Sequence, residues 1–156
     1  MADNLVSGAV IYRKKHGVIT WFVTQPKSKE GNGDWELPKI LVRPGGSSVQ
    51  AILRYLREDG RLKVTVLEEA GRTTISTTAN GVSVGTKIIF YLLRGGFIRE
   101  EGEGPISLEG DWLPYAKARR KLSLVREQRF FSQANMVLKE WYRRKKRNPE
   151  KRIAGK

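Results

Sequence analysis

The chain has 156 residues, 39% hydrophobic and 29% charged, which is enough for one globular domain with a modest core and too little for two. It has no cysteine and a single histidine, His16, which excludes a disulfide framework, a thiolate metal cluster, a cysteine nucleophile and a multi-histidine zinc site; any metal would need carboxylates. Its 30 Lys+Arg stand against 16 Asp+Glu, and the net charge of +14 points to a polyanionic partner without informing on the fold.

Met1-Ala2-Asp3-Asn4 opens without the charged and apolar regions of a leader, and no stretch approaches about 18 apolar residues. No transmembrane segment and a cytoplasmic setting are therefore expected. Residues 5–12 are apolar and β-branched with Gly8 among them, and residues 19–23 resume that pattern after Arg13-Lys14-Lys15-His16-Gly17, which predicts a β-hairpin with His16 exposed in its turn. Residues 26–34 are rich in Gly and Lys; Trp35-Glu36-Leu37-Pro38 then re-enters the core, and Arg43-Pro44-Gly45-Gly46 turns the chain again. A helix follows. Ser47 and Gln50 fit a capping box, Val49, Ile52, Leu53 and Leu56 form an apolar stripe at i, i+3, i+4 and i+7, and Gly60 is the expected terminator.

Residues 62–67 and 73–78 read as two strands, Asn80-Gly81 as a tight turn, and residues 87–93 as a buried strand ending at Gly95-Gly96. Glu100, Glu101, Glu103, Glu109 and Asp111 make an acidic loop, and Trp112-Leu113-Pro114 leads into a short helix over residues 115–121. In the long helix that follows, Phe130, Ala134, Val137, Leu138 and Trp141 recur at helical spacing, which makes Trp141 a core anchor rather than a stacking platform for bases. From Ala116 onward there are fifteen Lys and Arg and three acids, so twelve of the fourteen net charges lie in the last quarter of the chain. The expected division is a folded domain over residues 1–142 and a basic tail over residues 143–156, too poor in apolar residues to order by itself.

This succession of hairpin, Trp-Glu-Leu-Pro, glycine turn, helix, further strands, acidic loop, tryptophan and closing helix resembles the Nudix hydrolase superfamily over nearly the whole chain. The family motif GX5EX7REUXEEXGU, with U aliphatic, lies without gaps on residues 40–62, anchored by Arg54, Leu56, Glu58, Asp59 and Leu62. Trp35, Leu37, Pro38, Lys39 and the Pro44-Gly45 turn are similar to the family's lead-in. The resemblance implies an α/β fold, an α/β/α sandwich with a mixed central sheet, a box helix and a long basic C-terminal helix. It also implies Mg²⁺-dependent cleavage of a nucleoside diphosphate linked to another moiety, such as a dinucleoside polyphosphate or an RNA 5′ end, with Glu58 and Asp59 as the metal-binding, catalytic pair.

The motif is incomplete. Ile40 and Arg61 stand where the motif has glycines, and Gly46 and Tyr55 where it has glutamates. A divalent cation that must bridge a diphosphate requires several hard oxygen ligands, and a phenol with a pKa near 10 is neutral at pH 7 and lends no charge. Efficient hydrolysis is not expected. Three readings of Glu58 and Asp59 stay open: a surface role in which Glu58 pairs with Arg54 one turn away, a weakened Mg²⁺ site with Glu101, Glu103 or Glu109 as base, and a nucleotide or RNA-end pocket without turnover. Lys39, Arg54, Arg143, Arg144, Lys145, Lys146 and Arg147 are the candidate contacts to substrate or nucleic acid, through phosphate neutralisation. The favoured function is a weak or non-hydrolytic nucleotide- or RNA-binding module, associated with a ribonucleoprotein or the ribosome; the alternatives are the hydrolase and a plain protein-interaction domain.

Overall fold

β1 (Asn4–Lys15) is the axis around which the chain is built. In the computed structural model, which describes residues 4–25, 34–97, 108 and 110–147, β1 is paired on both sides. β2 (Val18–Thr24) and β3 (Lys39–Val42) pair with it antiparallel along its second and first halves, and β5 (Val82–Phe97) pairs with it parallel from Asn4↔Thr86 to Tyr12↔Arg94. β4 (Leu62–Ala79) extends the sheet beyond β5, and β6 (Gly110–Leu113) extends it beyond β2. The result is a mixed six-stranded sheet in the order β4-β5-β1-β2-β6, with β3 also on β1.

Continuous apolar runs in β1 and β5 follow from burial of both sheet faces. Val10, Tyr12, Ile88, Phe90 and Leu92 join one core with residues of α2 (Tyr115–Lys121) and α3 (Val125–Arg147), whereas Ala9, Ile11, Ile89, Tyr91 and Leu93 join the other with Ile52 and Leu56 of α1 (Ser48–Gly60). This is the expected α/β/α sandwich with a box helix and a long C-terminal helix. Among the described residues, no helix is long and apolar enough to cross a membrane.

The turns follow backbone chemistry legible in the sequence. His16-Gly17 and Asn80-Gly81 both take positive φ (52° and 77°, then 53° and 77°), as two-residue hairpin turns require, and His16 is exposed in its turn as expected. The two strands expected over 62–67 and 73–78 are one strand. The polar break at Glu68-Glu69 is absorbed by irregularities between Val66 and Glu68 and between Glu69 and Gly71, which let β4 stay paired with β5 throughout. Ser47 caps α1 as expected by accepting a hydrogen bond from the Gln50 amide at 3.3 Å. Gly60 is the last residue of α1, as expected, and is buried against Leu108, but the left-handed conformation that closes the helix (φ 50°) falls on Arg61.

The boundary expected after residue 142 also moves. α3 continues to Arg147, because a helix nucleated on the core extends at little cost and Arg143 and Arg144 find Glu140 at 2.9 Å and Glu68 at 2.8 Å. Residues 148–156 of the expected tail lie outside the described residues. The core-facing stripe of α3 is Glu127, Phe131, Ala134, Leu138 and Tyr142, so Tyr142, not Trp141, anchors its far end.

Gly8 shows how closely β1 and β5 approach. A Cβ at this position would overlap the ring of Phe90, which is fully buried. Gly8→Ala is expected to destabilise the fold by about 1–3 kcal/mol through overpacking, read as a lower urea midpoint at unchanged m-value.

Candidate functional site

β3 ends at Val42, Gly45 takes φ 77°, and Ser47 starts α1, so strand and helix lie side by side around a groove of about 310 Å³. Ile40 and Val42 line its strand side. Gln50, Arg54, Tyr55, Glu58 and Asp59 line its helix side: Gln50, Arg54 and Glu58 recur four apart along one row of the helix, and Tyr55 and Asp59 along the row beside it. The candidate pair Glu58 and Asp59 thus opens on the same groove as Arg54, with Glu58 exposed and Asp59 half-buried. The ion pair expected between Arg54 and Glu58 is not closed among the described residues, which leaves Arg54 at the rim with its charge directed to solvent.

Tyr55 is half-buried in this groove. Its phenol is pushed above its ordinary pKa by burial first and then by the negative charges of Asp59 and Glu36, so it is neutral at physiological pH. Glu36 is a member of this acidic group that sequence reasoning missed, because Trp-Glu-Leu-Pro reads as a core re-entry rather than a site. Burial raises the Glu36 carboxyl, Lys39 at 3.6 Å opposes that rise, and Glu127 and Asp34 add to it. Even so, no group of three or more His, Cys, Asp or Glu among the described residues could hold a metal ion. A divalent cation takes about six oxygens in a closed shell, and the adjacent carboxylates of Glu58 and Asp59 do not assemble one. Glu100, Glu101, Glu103 and Glu109 of the acidic loop lie outside the described residues; Asp111 is exposed on β6.

Lys39 does not face the groove. Ile40 packs toward α1, so Lys39, one residue earlier in the strand, lies on the opposite face, where its ammonium donates to a carboxylate oxygen of Glu127 and, at 3.0 Å, to the Leu37 carbonyl. Glu127 is fully buried and accepts the Leu37 amide at 2.8 Å through its other oxygen. The expected contact between Lys39 and a substrate is therefore replaced by a structural ion pair that ties the 35–39 segment to α3. Further ties hold the same segment: the Glu36 and Thr24 backbones exchange hydrogen bonds at 2.8 and 2.9 Å, Ser123 N–H donates to the Trp35 carbonyl at 3.0 Å, and Lys121 covers the Trp35 ring at 4.2 Å. A signal for Glu127 was present in the sequence, as the one acid on the apolar stripe of α3.

The basic candidates from Arg143 to Arg147 are distant from the groove. They sit at the end of α3, on the other side of the sheet. Arg143 and Arg144 hold acids there, Lys145 lies over the Trp141 ring at 3.9 Å, and Lys146 is exposed.

No family model matches the chain, and no curated protein sequence does. Solved structures do. A Caenorhabditis elegans Ap4A hydrolase binary complex matches at 21% identity over 88% of this chain and 98% of that one, with a TM-score of 0.59. A NUDIX hydrolase from Nitrosomonas europaea matches at 13% identity over 87% and 90%, with a TM-score of 0.67. The NUDIX domain of Shewanella oneidensis NrtR, complexed with ADP ribose, matches at 16% identity over 88% and 90%, with a TM-score of 0.62. The fold of this chain is the Nudix fold.

Proposed function

We propose that this Nudix-fold protein is a cytoplasmic nucleotide- or RNA-binding module that hydrolyses its ligand weakly or not at all. The observation that carries the reading is Tyr55: a half-buried, neutral phenol faces Asp59 and Glu36 where the motif resembled by residues 40–62 has a glutamate. A cation at this groove would meet the carboxylates of Glu58 and Asp59 with no third from the helix, so Mg²⁺ binding is weak. Arg54, free of Glu58 at the groove rim, is the residue assigned to a ligand phosphate. The concentration of positive charge from Ala116 onward supports RNA, alone or within a ribonucleoprotein or ribosome, as the larger ligand.

A second reading is a slow Mg²⁺-dependent hydrolase of a nucleoside diphosphate linked to another moiety. It is favoured by the position of Glu58 and Asp59 on one groove and by nucleotide ligands among proteins of this fold, ADP ribose in the Shewanella domain being one.

Titration of a labelled RNA across salt tests the main reading. Four or five phosphates neutralised on a single strand give a plot of log affinity against log salt with a slope of about −3. Failure to bind RNA even at low salt would remove RNA as the ligand.

A further inference from the structure

The core-facing stripe of α3 runs Phe131, Ala134, Leu138 and Tyr142, and the position that follows it one turn on is a cation, Lys145. Facing this end of α3, the end of β1 supplies Lys14, whose ammonium lies 5.0 Å from the centre of the Tyr142 ring, and β5 supplies Arg94, the partner of Tyr12 across the parallel ladder. Arg94 is close enough to lower the pKa of the Tyr12 phenol against a larger rise from burial, and Tyr12 and Tyr142 share a hydrogen bond at 3.2 Å. Trp141 stands edge-to-face on Tyr142 with ring centres 5.1 Å apart. Lys14 and Arg94 are exposed, and among the described residues neither they nor Lys145 has an acid within ion-pair distance. Arg143 and Arg144, which look the more obvious phosphate contacts in the sequence, are already paired with Glu140 and Glu68.

We infer that this surface, formed by Trp141 and Tyr142 of α3 with Lys14 and Arg94 of the sheet, is a binding site for single-stranded nucleic acid. Unpaired cations beside the rings track a phosphate backbone, and the half-buried rings offer faces to unstacked bases. Lys145 is the exchangeable part. A phosphate draws its ammonium off the Trp141 ring, and a base takes the vacated face, a trade favoured because a cation over a ring that still meets water is held only weakly. A duplex keeps its bases stacked on each other and cannot use the rings, and an anionic bilayer offers charge without bases.

The inference rests on the RNA-binding reading, and one set of measurements separates the two. Anisotropy of a labelled oligouridylate is measured with the full chain, with Lys14→Ala/Arg94→Ala and with Arg143→Ala/Arg144→Ala, which remove equal charge. The Lys14/Arg94 variant is expected to lose about 10-fold or more in affinity and to flatten the salt slope by about 1.4, at roughly 0.7 per phosphate contact on a single strand. The Arg143/Arg144 variant is expected to lose less than about 3-fold. Trp141→Leu is expected to cost roughly 5- to 100-fold and to abolish quenching of tryptophan fluorescence by the oligonucleotide, as loss of one stacked base requires. Equal losses in the two double variants, or a duplex of the same length or phosphatidylserine vesicles binding as tightly as the single strand, would overturn the site while leaving RNA binding intact. Absence of binding by the unaltered chain at low salt would instead overturn the parent reading and this site with it.

Discussion

Glu127→Ala is expected to lower the unfolding free energy by about 3–5 kcal/mol, the usual consequence of removing one partner from a buried ion pair. The carboxylate is fully buried and has both oxygens engaged, one by the Leu37 amide and one by the Lys39 ammonium. Alanine would strand both donors: the amide would lose its acceptor in a dry environment, and the ammonium would keep only the Leu37 carbonyl and the more distant Glu36. For a chain of this length the loss corresponds to a fall in melting temperature of about 6–20 °C. Glu127→Gln keeps an acceptor for Leu37 and should cost less. The pair Lys39→Met/Glu127→Leu removes both charges together and should recover the part of the loss due to the stranded ammonium, but not the part due to the Leu37 amide, which still lacks its acceptor. A loss below about 1 kcal/mol in Glu127→Ala would contradict the buried arrangement. Because the same bonds anchor the segment that leads into β3, whose Ile40 and Val42 line the groove, the alanine variant should also weaken ligand binding there.

Tyr55→Glu is expected to create Mg²⁺ affinity that the unaltered chain lacks. A carboxylate at this half-buried position would join Asp59 and Glu58 on the helix side of the groove, turning a pair of helical acids into a cluster. A site with a dissociation constant of about 1 mM, held at about 10 mM Mg²⁺, stabilises the folded state by about 1.4 kcal/mol, a rise of about 3–6 °C on adding the metal. The unaltered chain should move by less than about 1 °C. In the absence of metal Tyr55→Glu should be destabilised, because a new carboxylate beside two acids is repelled. If the unaltered chain gave the full metal-dependent rise, Tyr55 would not be what limits the site.

The fold was legible where a local pattern sufficed. The β1–β2 hairpin, the capped α1 with its Ile52 and Leu56 stripe, the Asn80-Gly81 turn and the limits of α2 all rest on short-range chemistry, and the structure bears them out. β3 and β6, four residues each, are too short to show a period, and they exist because β1 and β2 present edges to pair with. The continuity of β4 depends on bulges that only its pairing with β5 reveals. In the site, Arg54 and Glu58 share the groove because they lie one helical turn apart, and Asp59 lines it from the adjacent row with Tyr55. Lys39 and Glu36 were read less well because their surroundings are non-local: Glu127, 88 residues further on, turns Lys39 into a structural partner, and burial beside Tyr55 brings Glu36 into the acidic group. Trp141 and Tyr142 differ by one position on a helix, a distinction that only the direction of α3 over the sheet decides.

A groove as poor in carboxylates as the one proposed for this Nudix fold should not support rapid metal-assisted cleavage. The kcat/KM of the purified chain toward a dinucleoside polyphosphate at about 5 mM Mg²⁺, measured beside Glu58→Gln prepared identically, decides it. The expected result is a value at least about a hundredfold below the 10⁴ M⁻¹s⁻¹ at which ordinary enzymes begin, and little changed by the substitution. Turnover at or above that level, dependent on Mg²⁺ and lost in Glu58→Gln, would contradict it.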